Sequence, residues 1–551
     1  MSNIANALAE QAAAAPDKPA IILTRRARSG QPIQSKSISY RDLNARSERI
    51  ARGLSAVGLG PGVRSVLMVK PSFEFFALMF GLLRAGAVPV LIDPGIDRRS
   101  LKTCIDEAQP RGFIGIPLAH LARLVLGWGK AHVRQMIVVP GNSWLDRFAQ
   151  PLGTPLARIE ALADPTQALA SVNPDDPAAI LFTSGSTGIP KGVVYRHRHF
   201  QAQVEMIRAA YQIAPGEIDC PTFPPFALFD PALGVTAVIP DMDFTRPAAV
   251  DAGHIFALIE QFGVTQMFGS PALLDTLGRY AEQKPCRAAS LKRVLSAGAP
   301  MREDIARRMA KTLAPGVPIY TPYGATECLP VASISHFELA DTWALTRAGA
   351  GVCVGRVMPP NLVRIIPISD AEIADWSEVS ALGIGKIGEI TVSGPSCTDR
   401  YFNRDAANAL AKISEGERVV HRMGDVGYFD SNGRLWYCGR KSQRVETAYG
   451  TLYTEQVESI FNTHPAVARS ALVGLGERGR ERPLVWIQLR PDQQWSTEIN
   501  QELLEIARAH APTERIETFL THAAFPVDIR HNAKIGREKL RLEAIRKHAV
   551  K

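Results

Sequence analysis

A run of small polar residues closes the apolar segment Ile180-Leu181-Phe182: Thr183, Ser184, Gly185, Ser186, Thr187 and Gly188, followed by Ile189, Pro190, Lys191 and Gly192. Glycines let backbone N–H groups turn toward an anion, hydroxyls donate further hydrogen bonds, and a lysine adds a point charge. The stretch therefore predicts a polyphosphate cradle at the end of a buried strand. It is not a P-loop, which needs Ser or Thr directly after the Lys where a helix opens; here Gly192 follows Lys191 and Pro190 precedes it. A plain Ser/Thr/Gly linker is the competing reading, and the Gly-x-Pro-Lys-Gly ending directly after an apolar strand argues against it.

Five more stretches carry chemistry-bearing groups in chain order. They are Ser296-Ala297-Gly298-Ala299-Pro300, Tyr323-Gly324-Ala325-Thr326-Glu327, Arg422-Met423-Gly424-Asp425, Gly439-Arg440, and Asn532-Ala533-Lys534-Ile535-Gly536-Arg537. With the phosphate loop they resemble, over nearly the whole chain, the adenylate-forming enzymes: acyl-CoA synthetases, firefly luciferase and peptide-synthetase adenylation domains. The resemblance implies that the loop wraps the β- and γ-phosphates of ATP, with Lys191 as its lysine. It places Gly298, Ala299 and Pro300 in the turn beside the adenine. In the next motif, with Gly324, Tyr323 stacks on adenine, Thr326 touches phosphate and Glu327 holds Mg²⁺, with Thr187 as a second metal contact. Asp425 binds the ribose, Arg440 precedes the hinge, and Lys534 is the catalytic lysine.

The chemistry these residues would serve is carboxylate activation. A carboxylate resists nucleophiles and has no usable leaving group; attack on the α-phosphorus of ATP makes an acyl-adenylate from which AMP leaves. Such a step asks a protein for positioning and charge neutralisation. Glu327 with Mg²⁺, the loop hydroxyls and Lys191 would neutralise the departing pyrophosphate, and Lys534 would bridge the carboxylate and α-phosphate. A lysine on a separate small domain implies closure and, in the family, rotation at a hinge; the hinge position is Ser442, where the family usually has Asp or Lys.

Two departures bear on the acid and on what attacks its adenylate. After the hinge, Glu446 stands where CoA ligases commonly have Lys, and Ala448-Tyr449 replaces a Gly-Gly pair, which would narrow a pantetheine tunnel and repel the phosphates of CoA. In Phe223-Pro224-Pro225-Phe226-Ala227-Leu228-Phe229-Asp230, Ala227 occupies a position where acyl-CoA ligases often have His. This apolar stretch with one carboxylate suits an alkyl-bearing acid, with Phe226 and Phe229 on the chain; the alternative is that these aromatics only pack the core. In the wording of Val194 to Phe200, Phe223 to Asp230 and Trp436 to Gly450, the chain is most similar to the lactone-forming branch found in bacterial long-chain olefin synthesis. That implies a 2-alkyl-3-hydroxy fatty acid whose own hydroxyl displaces AMP to close a β-lactone, with His197 or Asp230 as proton acceptor. The competing reading of Asp230 is a cap on the following helix. A medium- or long-chain acyl-CoA synthetase is the alternative activity, and a non-catalytic nucleotide-binding scaffold the alternative class. The branch further implies neighbouring thiolase-like, reductase and lactone-decarboxylase enzymes, with a shared assembly as an option.

These residues need an α/β frame to bring them together. Amphipathic helical patterns alternate with short apolar runs: Ser65 to Val69, a helix from Phe75 to Arg84, then Val88 to Ile92. From Gly383 short alternating segments read as antiparallel hairpins, with the turn Asp430-Ser431-Asn432-Gly433. After Gly439-Arg440 the order is helix (Glu455 to Phe461), strands (Ala468 to Gly474 and Leu484 to Leu489), helix (Glu498 to His510) and a basic tail from Lys534, read as a solvated helix end. The predicted architecture is an α/β N-terminal domain, residues 1–439, of two stacked α/β subdomains plus a β-rich lobe, and a small mobile α+β domain, residues 440–551.

The composition fits: 551 residues, 46% hydrophobic and 21% charged, describe an ordinary globular chain. The excess of 63 Lys+Arg over 54 Asp+Glu is spread along the chain, so no nucleic-acid partner is called for. Seven scattered cysteines with no CxxC pair predict neither zinc nor disulfides, hence a reducing compartment. The N-terminus lacks signal-peptide form and the most apolar run, Phe75 to Leu83, falls short of the ~20 residues a spanning helix needs, so the expectation is a soluble cytoplasmic enzyme.

Overall fold

The computed structural model describes residues 3–26, 31–93, 95–141, 152–182, 190–527 and 535–549. Two seven-stranded sheets carry the N-terminal body. In the first, the strands Ile319–Tyr320, Arg293–Leu295, Gln266–Phe268, Ile218–Pro221, Thr236–Ile239 and Pro19–Arg25 run parallel, and Gln34–Ser39 pairs antiparallel at the edge. In the second the order is Thr154–Pro155, Gln135–Val138, Gly112–Gly115, Arg64–Met68, Val88–Ile92, Pro177–Phe182 and Gly192–Arg196, antiparallel only at the last pair. Parallel strands buried on both faces explain the short apolar runs without alternation.

The helix Phe73–Arg84 lies between these layers. Ser72 caps it by accepting the Phe75 N–H at 3.3 Å, Glu74 and Arg84 suit its two ends, and every residue from Phe75 to Arg84 is buried. A helix apolar all round belongs inside a large core, and its residues join one apolar cluster with those of the helices Asn6–Ala14 and Tyr40–Ala56.

The β-rich lobe is an eight-stranded antiparallel sheet that begins at Tyr323–Ala325, sixty residues before the expected change of texture at Gly383. Its early strands, Cys328–Ser333, Val352–Val357 and Leu362–Ile366, are short, and Gly355 breaks the second of them, which hid their alternation. The strands Arg418–Phe429 and Leu435–Arg440 form its centre. Past Arg440 a single turn, Lys441–Gln443, leads to the hairpin Val445–Thr447 and Gly450–Leu452, and then to a three-stranded sheet of Val467–Leu475, Arg482–Leu489 and Phe519–Thr521. Helices Thr454–Phe461 and Thr497–Arg508 pack there. The final helix, Arg537–Ala549, is not simply solvated: Leu540 and Ala544 are fully buried with Trp486, and Arg537 pairs with Glu458 at 2.6 Å.

Candidate active site

A cavity of about 3170 Å³ opens between the body sheets, the lobe and the segment around Ile535 and Arg537. Lys191 stands at the start of its hairpin strand, and the register Phe182↔Gly192 shows that the polyphosphate loop joins two antiparallel strands rather than a strand and a helix. The loop residues Thr183, Ser184, Gly185, Ser186, Thr187 and Gly188, and the catalytic candidate Lys534, lie outside the described residues. Ile535 and Arg537, just beyond Lys534 in the chain, line the cavity.

The expected adenine turn, Gly298, Ala299 and Pro300, lines the same cavity, with Gly298 at φ +97°, a left-handed conformation that glycine adopts without strain. Just before it, Ser296 is 1% exposed and its Oγ has no hydrogen-bond partner among the described residues. A buried hydroxyl left over on a cavity wall fits a ligand that brings a polar atom to it. Tyr323 and Gly324 line the same cavity. The Tyr323 hydroxyl donates to Asp425 Oδ2 at 2.6 Å, and burial together with the Asp425 charge raises its pKa well above the phenol range, so it remains a donor.

Asp425 is held from a second side. The lobe strands set Asp425 opposite Arg440, and the guanidinium meets Asp425 Oδ1 at 2.9 Å. The aspartate charge raises the Arg440 pKa. Gly424, at φ +67°, makes the bend that turns Asp425 toward the cavity, where both residues appear on the wall.

Thr326 and Glu327, the residues expected at the phosphates, follow the short strand Tyr323–Ala325 and line the cavity. The Thr326 carbonyl accepts the Tyr195 hydroxyl at 2.5 Å, and the Glu327 carbonyl accepts both the N–H and the Oγ1 hydroxyl of Thr398 at 2.8 Å. The Glu327 carboxylate accepts the Tyr401 hydroxyl at 2.7 Å, and the Lys191 Nζ lies 4.9 Å from the centre of the Tyr401 ring. Tyr401 thus links two predicted site residues, and sequence reading did not select it.

Glu327 is a single carboxylate, and no group of three or more His, Cys, Asp or Glu among the described residues is arranged to hold a metal. Such a donor set fits Mg²⁺, which takes one or two protein carboxylates and completes its shell with phosphate oxygens and water.

The apolar wall predicted for the acid is present. Phe223, Phe226, Leu228 and Phe229 all line the cavity rather than only packing the core. Phe226 meets Phe268 at 4.4 Å and Phe223 at 5.2 Å between ring centres, and Phe229 meets Phe200 at 6.3 Å. Asp230 lies beside them, 3% exposed. His197 requires a correction: it is fully buried at the start of helix His197–Tyr211, its Nδ1 accepts the Ile4 N–H at 3.4 Å, and it is not on the cavity wall. Burial lowers its pKa to about 4, so it is a neutral packing residue.

In the turn Lys441–Gln443, the Lys441 Nζ donates to Glu389 Oε1 at 2.9 Å and to the Ser369 carbonyl at 2.8 Å. Glu446 is tied to Arg444 and Arg478 at 2.8 and 2.6 Å, and the Tyr449 ring lies under the Arg515 guanidinium.

Tyr323 with Asp425, the Lys191–Tyr401–Glu327 cluster and an apolar pocket share one cavity, an arrangement that suits an enzyme activating carboxylic acids with ATP. The chain belongs to the AMP-binding enzyme family, which it matches over residues 8–402. It is 54% identical over 546 residues to the olefin β-lactone synthetase of Stenotrophomonas maltophilia, covering 98% of this chain and 97% of that one. It is 54% identical over 553 residues to the olefin β-lactone synthetase of Xanthomonas campestris pv. campestris, covering 99% and 98%. In fold it is similar to the amide bond synthetase McbA of Marinactinospora thermotolerans, with a TM-score of 0.79 at 20% identity over 98% of this chain and 99% of that one. No helix among the described residues is long and apolar enough to cross a membrane.

Proposed function

We propose that the chain converts a 2-alkyl-3-hydroxy long-chain fatty acid and ATP into a β-lactone, AMP and pyrophosphate, within long-chain olefin synthesis. The observation that carries this reading is the 54% identity, over nearly the full length of both chains, to enzymes named for that lactone. The phenylalanine wall supports an alkyl-bearing acid.

In the first step a carboxylate oxygen bonds to the α-phosphorus and pyrophosphate leaves with its electron pair. Tyr323 and Gly298 to Pro300 hold the adenine, Asp425 the ribose, and Lys191 with Thr183 to Gly188 the phosphates. Mg²⁺, held by Glu327 with Thr187, would supply charge neutralisation at the phosphate oxygens. Lys534 approaches the carboxylate when residues 440–551 close as a lid on the body formed by residues 1–439, hinged at Lys441–Gln443. In the second step the 3-hydroxyl oxygen bonds to the carbonyl carbon, the bond to AMP breaks, and a ring closes; holding both ends of one substrate replaces an external nucleophile. A hydrophobic, reactive product favours passage to a consuming enzyme, so we place the chain in the cytoplasm alongside thiolase-like, reductase and lactone-decarboxylase partners.

The test is product analysis with ATP, Mg²⁺ and a 2-alkyl-3-hydroxy acid, with and without CoA. The reading expects lactone in both. Product only with CoA, from plain fatty acids as readily as from hydroxy acids, makes the chain an acyl-CoA synthetase instead.

A further inference from the structure

Asp219 was not among the residues that the sequence singled out, yet it shares the substrate wall with Asp230. The two are 5% and 3% exposed, and the Asp230 Oδ2 has no hydrogen-bond partner among the described residues. Helix capping does not account for Asp230. The helix it opens, Asp230–Leu233, is a single turn with no side-chain cap. A carboxylate buried at a cavity wall without a compensating donor is costly to a fold and belongs to a site rather than to packing.

Asp219 is held by a polar row across the parallel sheet. Asp219 stands opposite Gln266, and Gln266 opposite Arg293, on three neighbouring strands. Arg293 donates to Gln266 Oε1 at 3.0 Å and grips both oxygens of Glu217, at 2.5 and 3.1 Å. Gln266, paired with Asp219 across the two strands and with its oxygen committed to Arg293, favours the ionised form of that carboxylate. Asp219 and Asp230 lie close enough that each shifts the other's titration, and two buried carboxyls so placed do not both ionise readily. The other ionisable groups around the pair are Tyr40, Cys220, Arg293 and Glu217, and the Tyr40 hydroxyl donates to the Val235 carbonyl at 2.9 Å.

We infer that Asp219 and Asp230 form a carboxylate pair that takes the proton of the substrate's 3-hydroxyl as its oxygen closes on the adenylate carbonyl, with Gln266 and Arg293 as positioning residues. The inference rests on the lactone reading and names the base for its second step. The hydroxyl proton passes to Asp230, which hands the proton it shares to Asp219; the C–O bond to the ring forms, the bond to AMP breaks, and its electron pair leaves on the AMP phosphate. Burial raises the Asp219 pKa to about 7 and that of Asp230 further, with the neighbouring Asp219 charge added, so the pair retains one proton and one negative charge just above neutrality.

The two half-reactions of the full-length enzyme separate the outcomes. Pyrophosphate exchange reads adenylation; lactone release from a 2-alkyl-3-hydroxy acid reads closure. Asp230→Asn and Asp219→Asn should each slow closure by about 100-fold or more, the range of lost general-base catalysis, while adenylation loses far less. Closure by the wild type should rise with pH through about 7, and Gln266→Leu should move that midpoint upward, because Gln266 lowers the Asp219 pKa. Equal losses in both half-reactions, or closure at the wild-type rate in Asp230→Asn, overturn the pair as base. If an Asn variant does not fold, the wild-type profile decides: closure flat from about pH 5.5 to 8.5 also overturns it. A wild type that adenylates but never yields lactone refutes the proposed function itself, a distinct result.

Discussion

The Tyr401 hydroxyl donates to Glu327 Oε1 across 2.7 Å, on the ring that faces the Lys191 ammonium at 4.9 Å. The phenol therefore orients the carboxylate assigned to the metal and shields the adjacent lysine. A hydrogen bond to a charged group is worth about 1.5–3 kcal/mol, so Tyr401→Phe should lower the rate of pyrophosphate exchange roughly 10- to 100-fold. The ring remains in that variant, so the melting temperature should change little. Wild-type exchange in Tyr401→Phe would remove the tyrosine from the site.

Asp425 receives the Tyr323 hydroxyl and the Arg440 guanidinium while lining the cavity, where it is proposed to bind the ribose. Asp425→Asn keeps the shape and removes the charge. We expect the KM for ATP to rise about tenfold or more, with a smaller fall in kcat, because a charged hydrogen bond to the ribose is lost in ground and transition states alike. A KM unchanged within error would place the ribose elsewhere.

Arg422 and Glu389 form a fully buried ion pair at 2.7 Å, and Lys441 of the hinge turn joins it. Removing one partner of such a pair leaves an uncompensated charge in the core. Glu389→Gln should cost about 3–5 kcal/mol in urea unfolding. A loss below about 1 kcal/mol would mean the pair behaves like an exposed one.

His197 makes stability acid-sensitive. Its folded pKa, lowered by burial to about 4 from an ordinary 6.5, means that the unfolded chain binds a proton first as pH falls. Its neutral form is tolerated above pH 6.5, and stability is lost as pH drops from there toward 4, by up to about 3 kcal/mol. Urea titrations of wild type and His197→Asn at pH 7.5 and 5 should show a smaller acid loss in the variant, and an equal loss would refute the assignment.

Much of this site was legible because its motifs are local: the loop ending at Lys191, the Tyr323 to Glu327 run and the Asp425 and Arg440 positions each carry their chemistry within a few residues. Tyr401 was not, because it reaches Glu327 across 74 residues through the pairing of Thr398 with the Glu327 carbonyl. Asp219 offered one signal, a carboxylate inside the short apolar strand Ile218–Pro221, where it would be expensive without a partner. His197 misled in the opposite direction: its type and position promised chemistry, but its ring is buried against the Ile4 N–H, 193 residues away. In the final helix, charges at most positions hid the spacing of Leu540 and Ala544 that anchors it. The β-rich lobe began earlier than its texture suggested because glycine-broken strands show little alternation.

The most direct test follows oxygen. With both carboxylate oxygens of a 2-alkyl-3-hydroxy acid labelled with ¹⁸O, and ATP and Mg²⁺ but no CoA present, one label should appear in the phosphate of AMP and the other in the lactone carbonyl, the ring oxygen remaining unlabelled. AMP free of label, or the absence of lactone until CoA is added, would contradict the account.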